Sequence, residues 1–389
     1  MEHDPERLPA IDADALKMSV KQVKKFSPDT LSVMEFKSQR DIDVTATIYG
    51  KWPLMGQKVA GSWSLVFERE VQNPAAEYFT REPSGRRPLV EGKWIHQFDY
   101  GFSTPSNFFD ERAYAAIAGT KRYIRDHRAT GETGVVLNCS EYRLVTRRQA
   151  ASTNERTLIS TVVQPGDLCG DNLEVSKPFG LPKIKALTNG ELLAAAGILN
   201  ALVVDFVMRN KITTNLNKFY LYQSPLPRAP VCDGSKVYGP ALSARVARRV
   251  CVSEDFAHLW RYIYGTCWRD RDFWYSSSSP IDTYGPAHEQ EIRRRLRDEA
   301  PKLTPEWGLH CGVHDRLPDR RDTGDRAQLR SEIDAYVAHL YGLSRGDFAY
   351  ILDTFPVLKK KEKKAFGEFM SKRKCLEEYD RIKTIMNAE

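Results

Sequence analysis

Residues 142–165, YRLVTRRQAASTNERTLISTVVQP, decide the fold. Two short apolar runs, residues 142–145 and 158–163, frame a polar connector at residues 146–156. The β-branched and aromatic side chains in these runs favour strands. We therefore predict two strands that lie side by side in one sheet and hold the connector between them.

The connector is rich in side chains that donate hydrogen bonds. It carries Arg147, Arg148, Arg156, Gln149 and Asn154. Guanidinium groups bind phosphates, and amides and arginines read base edges, so the connector is a candidate DNA-contacting element. The alternative is a solvated loop whose arginines pair with Glu141 and Glu155, because runs of charge are usually solvated.

Composition limits the class of protein. A chain of 389 residues, 41% of them hydrophobic, is long enough for two or three domains with packed cores. The net charge of +7 permits nucleic-acid binding without requiring it. Seven cysteines without a repeated spacing predict free thiols in a reducing compartment.

The sequence contains no segment typical of export or membrane insertion. Its acidic, polar N-terminus does not resemble a signal peptide. The longest apolar run, residues 192–207, is interrupted by Asn200 and Asp205 and falls short of a membrane span. We therefore expect a cytoplasmic protein without a membrane partner.

Two more strands are predicted at residues 62–71 and 89–98. The second contains Lys93, His96 and Gln97, which would reach bases from a strand or its edge, although a lone histidine on a strand is more often structural. The strongest helix signal is at residues 189–211, where apolar side chains recur with the helical period.

Helices are also predicted at residues 329–341, at 344–355 with Ser344 as N-cap, and at 359–386. From Lys359 onward, ten lysines and arginines face six acids, a local excess of +4. This tail would lie along a duplex or pack on a partner helix. The packing residues would be Phe366, Phe369, Leu376 and Tyr379.

Motifs for common enzyme chemistry are missing. No glycine-rich loop follows a strand, and no Asn/Asp-Pro-Pro-Tyr tetrapeptide occurs, so we expect no cofactor in this chain. Asp29, Glu35 and Lys37 imitate a PD-ExK nuclease, but the two acids would share one strand. A partial zinc-ligand set, His310, Cys311 and His314, has no second paired cluster to complete a tetrahedron.

Five stretches carry a family resemblance in their order and spacing. They are SPDTLSVMEFKSQRDIDVTATIYGKWP (residues 27–53), EGKWIHQFD (91–99), YRLVTRRQAASTNERTLISTVVQPG (142–166), LLAAAGILNALVVDFVMRNKITTNLNKFYLYQSPLP (192–227) and IDAYVAHLYGLSRGDFAYILDTFPVLKKKEKKAFGEF (333–369). The chain resembles the C-terminal, non-catalytic half of large adenine-N6 DNA methyltransferases. These belong to type IIG restriction-modification systems and to BREX- and DISARM-like phage defence.

The resemblance implies a target recognition domain that reads double-stranded DNA. A Rossmann-like methyltransferase with S-adenosylmethionine would flip and methylate an adenine. Because this chain starts where that enzyme would already have ended, the catalytic half is expected as a separate subunit, or the chain is a fragment or a split gene product. The expected partners are DNA and a methyltransferase core or another defence-system subunit.

Residue patterns and resemblance together predict an α+β fold in four parts. They are a helical connector (1–60), a target recognition domain with a mixed β-sheet (61–230), a variable helical insert (231–325) and a C-terminal helical bundle or spacer (326–389). The sheet would have roughly five to seven strands. It would present these residues to DNA: Lys93, His96, Gln97, Arg143, Arg147, Arg148, Asn154 and Arg156.

Two functions of other classes stay open. As a non-enzymatic scaffold of a defence complex, the chain would bind proteins and show little salt-dependent affinity for DNA. As a nuclease, it would cleave DNA with Mg²⁺ or Mn²⁺, and Glu35→Ala would abolish cleavage.

Overall fold

The computed structural model describes residues 15–59, 62–71, 78–120, 137–178, 187–212, 214–228, 238–264 and 323–388. The helices are α1 (Val20–Phe26), α2 (Gln39–Lys51), α3 (Arg112–Ala118), α4 (Asn189–Asn200), α5 (Leu202–Arg209), α6 (Lys218–Tyr222), α7 (Tyr238–Val250), α8 (Ala257–Tyr264), α9 (Thr323–Leu340), α10 (Arg345–Asp353), α11 (Pro356–Phe366) and α12 (Met370–Ala388). The strands are β1 (Phe67–Glu68), β2 (Phe79–Thr80), β3 (Arg87–Pro88), β4 (Ile95–His96), β5 (Asp99–Tyr100), β6 (Phe108–Phe109), β7 (Arg143–Arg147), β8 (Ser160–Val163) and β9 (Leu173–Ser176).

These elements form an α+β fold, as the sequence predicts. The described strands make a four-stranded sheet in the order β1-β9-β7-β8, a three-stranded sheet β2-β6-β3 and the hairpin β4-β5. The named strands pair antiparallel throughout the described residues, whereas the sequence led us to expect one larger, mixed sheet. The predicted strands at 62–71 and 89–98 are each reduced to two residues, in β1 and β4.

The central strand pair is confirmed. Strand β7 pairs with β8, with Val145 opposite Thr161, and with β9 on its other side, with Val145 opposite Val175. Helix α4 packs on β7 and β8. Because almost every residue of the three strands is buried, the sheet is covered on both faces, and polar side chains on it must find partners inside the protein.

The predicted long helix at 189–211 is two helices, α4 and α5, that meet at an angle of 55° at Ala201. The side chain of Asn200 bonds to both backbone groups of Ser160 on β8, at 3.0 and 2.8 Å. Leu202 begins α5, so its N–H has no partner within that helix. The Asp334 carboxylate accepts from it at 2.7 Å and thereby caps α5. The polar residue that interrupts the apolar run therefore joins the helix to the sheet edge.

The C-terminal helices pack around α9. This helix contacts α7 on one side and α12 on the other, and the buried pair Arg245–Glu332 closes at 2.7 Å between α7 and α9. Ser344 caps α10 as predicted. The helix predicted at 359–386 is instead α11 and α12, because Gly367 adopts φ +78° and ends α11.

One hydrophobic core runs through most of the described chain, from Phe26 to Ile382. A smaller core lies around Phe109 and Leu168. The described cysteines, Cys139, Cys169, Cys251 and Cys375, are buried and free. No single helix among the described residues is long and apolar enough to cross a membrane, although the bent pair α4 and α5 meets the length and composition test together.

Candidate nucleic-acid interface

The segment 91–102 is a tight hairpin whose turn points into the protein. Phe98 sits at the turn with φ +60°, a conformation that is costly for a residue with a side chain. Its N–H donates to the Ser160 carbonyl at 3.0 Å. Gln97 is buried and donates to the carbonyls of Leu158 and Asn200, at 3.0 and 3.2 Å. Its amide therefore anchors the hairpin and does not face solvent.

The outer side of this hairpin carries Lys93, His96 and Phe102. Lys93 is exposed, and the His96 ring stacks on Phe102 with centroids 4.7 Å apart. Phe102 is 56% exposed, an unusual position for a large apolar ring. Burial, followed by the nearby charge of Arg147, lowers the pKa of His96 to about 4. His96 is therefore neutral at pH 7 and offers a flat ring rather than a positive charge.

Arg147 joins the hairpin to the connector. Its Nη2 donates to the Ile95 carbonyl, and its side chain lies against Gly92, where a Cβ would come within 3.3 Å of the Arg147 Cγ. Partial burial lowers the pKa of Arg147 below its ordinary value. The packing fixes this guanidinium at the junction of the two elements.

Arg148 is held on the neighbouring side of the sheet. Its guanidinium donates to the Asp171 carbonyl at 2.8 Å and lies 3.5 Å from the Glu174 carboxylate. The side chain is 22% exposed. It is therefore partly available to a ligand while two partners hold it in place.

The tip of the connector is exposed at Asn154. The backbone carbonyls of Asn154 and Glu155 accept hydrogen bonds from the Arg209 guanidinium on α5, at 2.5 and 2.7 Å. These two bonds hold the tip against α5. The Glu155 carboxylate accepts from Lys361 on α11 at 2.6 Å. These contacts place the connector tip next to α11 and leave the Asn154 side chain facing outward.

Two of the candidate arginines lie inside the protein. Arg143 is fully buried and pairs with Glu70 at 2.5 Å, and it also donates to the Asp167 carbonyl. Arg156 is 3% exposed, between Asp205 and Asp334. We assign both a structural role, together with Gln97, because their donor groups are directed into the interior and not toward the surface.

Helix α11 forms the most cationic part of this surface. Its single acid, Glu362, is 8% exposed and turns inward to cap α12 by accepting from the Ser371 N–H at 2.7 Å. Lys360, Lys363 and Lys364 are exposed and form no ion pair with the described residues. The charge excess after Lys359 indicated this helix from sequence, but only the inward turn of Glu362 leaves its outer face wholly positive.

Three of the four residues predicted to pack on a partner helix pack within the chain itself, and one stays exposed. Phe369 and Tyr379 are buried in the protein's own core, and Leu376 packs against it. Phe366 remains 59% exposed at the end of α11. Most of the apolar side of this tail is therefore already occupied by the chain itself.

The hairpin 91–102, the connector and α11 thus form one surface, which we call the basic face. Arg147 links the hairpin to the connector, and Glu155 links the connector to α11. The basic face brings together Lys93, His96, Arg147 and Asn154 with the lysines of α11. Arg148 borders it on the β9 side.

The metal-site predictions gain no support from the described residues. Asp29 and Glu35 are exposed, and residues 30–36 form no strand. Asp29 accepts from the Gln223 amide at 3.2 Å. No group of three or more histidine, cysteine, aspartate or glutamate side chains suited to a metal occurs in the described parts of the chain. His310, Cys311 and His314 lie outside them.

Comparison with solved structures finds distant structural likenesses. No protein-family model and no curated protein matches the sequence. Among the solved structures that match is the type IIL restriction-modification enzyme MmeI in complex with DNA, with a TM-score of 0.32 and 9% sequence identity. The match covers 84% of this chain and 37% of the MmeI chain. A TM-score this low does not establish a common fold.

Proposed function

We propose that this chain recognises a short sequence in duplex DNA and presents it to a separate adenine-N6 methyltransferase in a restriction-modification or phage-defence system. The observation that carries the proposal is the basic face, where three exposed lysines of α11 that form no ion pair with the described residues adjoin the fixed Arg147 and the exposed Asn154. Phosphate contacts set register and orientation, whereas base-edge contacts supply sequence information.

The two parts of the basic face suit these two tasks. Lys360, Lys363 and Lys364 are flexible point charges that would neutralise backbone phosphates. Asn154 would pair with an adenine edge, and Arg147 would reach a guanine or a phosphate. His96 and Phe102 would supply stacking surface next to them, since every base has a face that an aromatic ring can contact.

The link to methylation rests on the sequence resemblance and on the site described above. The chain offers no glycine-rich phosphate cradle and no Asn/Asp-Pro-Pro-Tyr motif. S-adenosylmethionine would therefore be bound by the partner, and this chain would contribute only recognition.

Binding to a randomised duplex library across a salt series tests the proposal. We expect enrichment of a short asymmetric motif and affinity that falls steeply with salt. The triple variant Lys360→Gln, Lys363→Gln, Lys364→Gln should lower the salt slope by about 3, close to one per lost phosphate contact. Changing Lys21, Lys24 and Lys25 of α1 to glutamine in the same way is the matched control, because these lysines are also exposed but lie outside the basic face.

Base readout is tested separately at constant salt. We expect Asn154→Ala to relax preference at one position of the site, at a cost of about 1–3 kcal/mol for the preferred base. The α11 triple variant should instead lower the affinity for all DNA sequences by the same factor. Enrichment that is identical in Asn154→Ala and the unaltered protein would remove Asn154 from the readout.

A protein-binding role is the second candidate, and a specific observation favours it. Four large apolar side chains, Leu16, Val20, Leu31 and Val33, are 42–71% exposed within one short N-terminal segment. Leu31 adopts φ +52°, so the backbone accepts strain where this side chain is exposed. These exposed apolar side chains would help to dock the methyltransferase core or another defence subunit. DNA affinity without salt dependence, or none with the partner present, would favour this scaffold function over recognition.

A further inference from the structure

Arginines from three distant parts of the sequence meet beneath the basic face. Arg249, at the end of α7, donates to the Arg326 carbonyl at 2.9 Å, and Arg326 donates back to the Arg249 carbonyl at 3.1 Å. Arg326, Arg330 and Asp334 follow one another at four-residue spacing on one face of α9. Asp334 faces Arg156 at 3.9 Å. Arg330 therefore lies on α9 between Arg249 and Arg156, and we call these three residues the arginine cluster.

The carboxylates beside the cluster are engaged elsewhere. Asp334 accepts from the Leu202 N–H at 2.7 Å, and Asp205 accepts from the Thr157 N–H at 3.0 Å. Each also forms a long ion pair with Arg156, at 3.9 Å from a guanidinium nitrogen, but accepts no hydrogen bond from it. Glu155, on the outer side, is paired with Lys361.

Donors of the cluster are left without acceptors in the interior. Arg156 is 3% exposed, and its Nε and Nη1 have no hydrogen-bond partner among the described residues. Arg249 is 5% exposed, its guanidinium lies 5.1 Å above the Phe98 ring, and its Nε also has no partner in the described structure. Buried donors without acceptors are rare in folded proteins.

Electrostatics agrees with this geometry. Burial, and then the charges of Arg326 and Arg330, lowers the pKa of Arg249 well below its ordinary value. Burial and then Arg156 lower the pKa of Arg330 in the same direction. Asp334, Glu155 and Glu362 offset part of this lowering at Arg330, and Asp99 offsets part of it at Arg249. A further anion beside the three guanidiniums would act in the same direction.

The cluster reaches the surface beside the hairpin. Arg330 is partly exposed, and its charge acts on His96 of the basic face together with that of Arg147.

We propose that the arginine cluster is a binding site for a phosphate group. Planar guanidinium donors match the oxygens of a phosphate, and charge-assisted hydrogen bonds of this kind are short and strong. The group would be a free phosphate or nucleotide, or a phosphate of a DNA backbone. The site does not depend on DNA recognition, because a free anion would satisfy the same donors.

Thermal unfolding of the full chain at constant ionic strength tests this site. The probes are inorganic phosphate, adenosine monophosphate and a short duplex, with sodium chloride as reference. We expect at least one phosphate-bearing probe to raise the Tm by about 2 °C or more at saturation. A response to all three indicates a general phosphate site. A response to duplex alone indicates a backbone phosphate at this site only if Arg330→Gln reduces it, because the basic face also binds duplex.

The variant Arg330→Gln should lose this response, and it keeps the buried Arg156 and Arg249 in place so that the chain still folds. Arg345→Gln, which removes an exposed pair with Asp380 on α10, is the matched control and should respond as the unaltered protein does. Calorimetric titration with phosphate provides a measurement independent of stability. Equal responses to phosphate and chloride, or a full response in Arg330→Gln, would overturn the proposal. The α11 triple variant separates the two sites, since it should lose DNA affinity and still respond to inorganic phosphate.

Discussion

Arg143 shows how little residue type alone says about exposure. An arginine in a basic strand suggests a DNA contact, but its side chain is fully buried against Glu70, and the Glu70 carboxylate also accepts from the Cys169 N–H at 2.8 Å. The sequence gives no sign of this pairing, because Glu70 and Arg143 are brought together only by the fold. Arg147, four residues later, stays partly exposed.

Replacing Arg143 tests its structural role. We expect Arg143→Met to lower the free energy of unfolding by about 3–5 kcal/mol, because the buried Glu70 carboxylate would lose the Arg143 guanidinium. Urea denaturation measures this loss. The control Arg345→Met, at the exposed pair with Asp380, should cost less than about 1 kcal/mol. A small loss in Arg143→Met with altered DNA preference would return Arg143 to the recognition site.

His96 makes stability depend on pH in a defined window. The pKa of a histidine is about 6.5 in an unfolded chain, and here burial lowers it to about 4. Between these values the unfolded chain binds more protons, so the free energy of unfolding rises with pH. The contribution of His96 is complete above pH 6.5 and is lost as the pH falls toward 4.

We expect the variant His96→Gln to remove this part of the pH dependence. The difference between the two proteins should reach at most about 3 kcal/mol between pH 7 and pH 4. Urea denaturation at several pH values in this range measures the difference. The titration of other groups cancels in the comparison between the two proteins. If the free energy of unfolding depends on pH in the same way in both proteins, the fold does not keep His96 neutral.

At the scale of elements, local patterns predicted what local interactions determine. Strands β7 and β8 and the capped helix α10 follow from β-branched runs and from Ser344. The bend at Ala201 and the hairpin at 91–102 do not, because tertiary hydrogen bonds from Asn200 and Gln97 create them. From the sequence alone, an asparagine in an apolar helix indicates only a less stable position in that helix. Its hydrogen bonds to Ser160 become apparent only once the fold places it beside strand β8.

The Asn200 side chain should therefore matter more than its position in a helix suggests. We expect Asn200→Leu to cost about 2–4 kcal/mol, since the Ser160 N–H loses its acceptor in the interior and the Ser160 carbonyl loses one of its donors. Denaturant unfolding measures this cost. Asn210→Ala is the control and should cost less than about 1 kcal/mol, because among the described residues the Asn210 amide bonds only to the Phe206 carbonyl one turn earlier. Equal losses of unfolding free energy in Asn200→Leu and Asn210→Ala would mean that the backbone, and not the Asn200 side chain, determines the bend.

At the scale of the whole molecule, the basic face joins segments that are far apart in sequence. Residue types indicate Lys93, His96 and the connector as candidates, although not the hairpin itself, and the lysine excess of the tail is visible too. Their adjacency depends on single contacts such as Glu155 with Lys361. The arginine cluster was not predicted at all, because Arg249 and Arg330 meet Arg156 only through the packing of α7 and α9.

The division of the chain into four parts remains a prediction, and the shared core makes it testable. Helices α4 and α5 are almost entirely buried, and they contact α7 and α9 as well as the sheet. Removing the C-terminal region would expose this apolar surface, remove the Asp334 cap from α5 and leave Arg156 without one of its two carboxylates.

We therefore expect a chain truncated after residue 325 to be insoluble or to lack a cooperative unfolding transition, as measured by circular dichroism and calorimetry. Co-expression of residues 326–389 as a separate chain should restore part of the soluble protein if the interface alone is needed. A chain ending after residue 384 is the control, because it keeps the buried Tyr379 and Ile382 of α12 and should fold. A soluble, cooperatively unfolding truncation after 325 would establish the C-terminal helices as an independent domain, and the DNA-facing role of α11 would then depend on docking rather than on the fold.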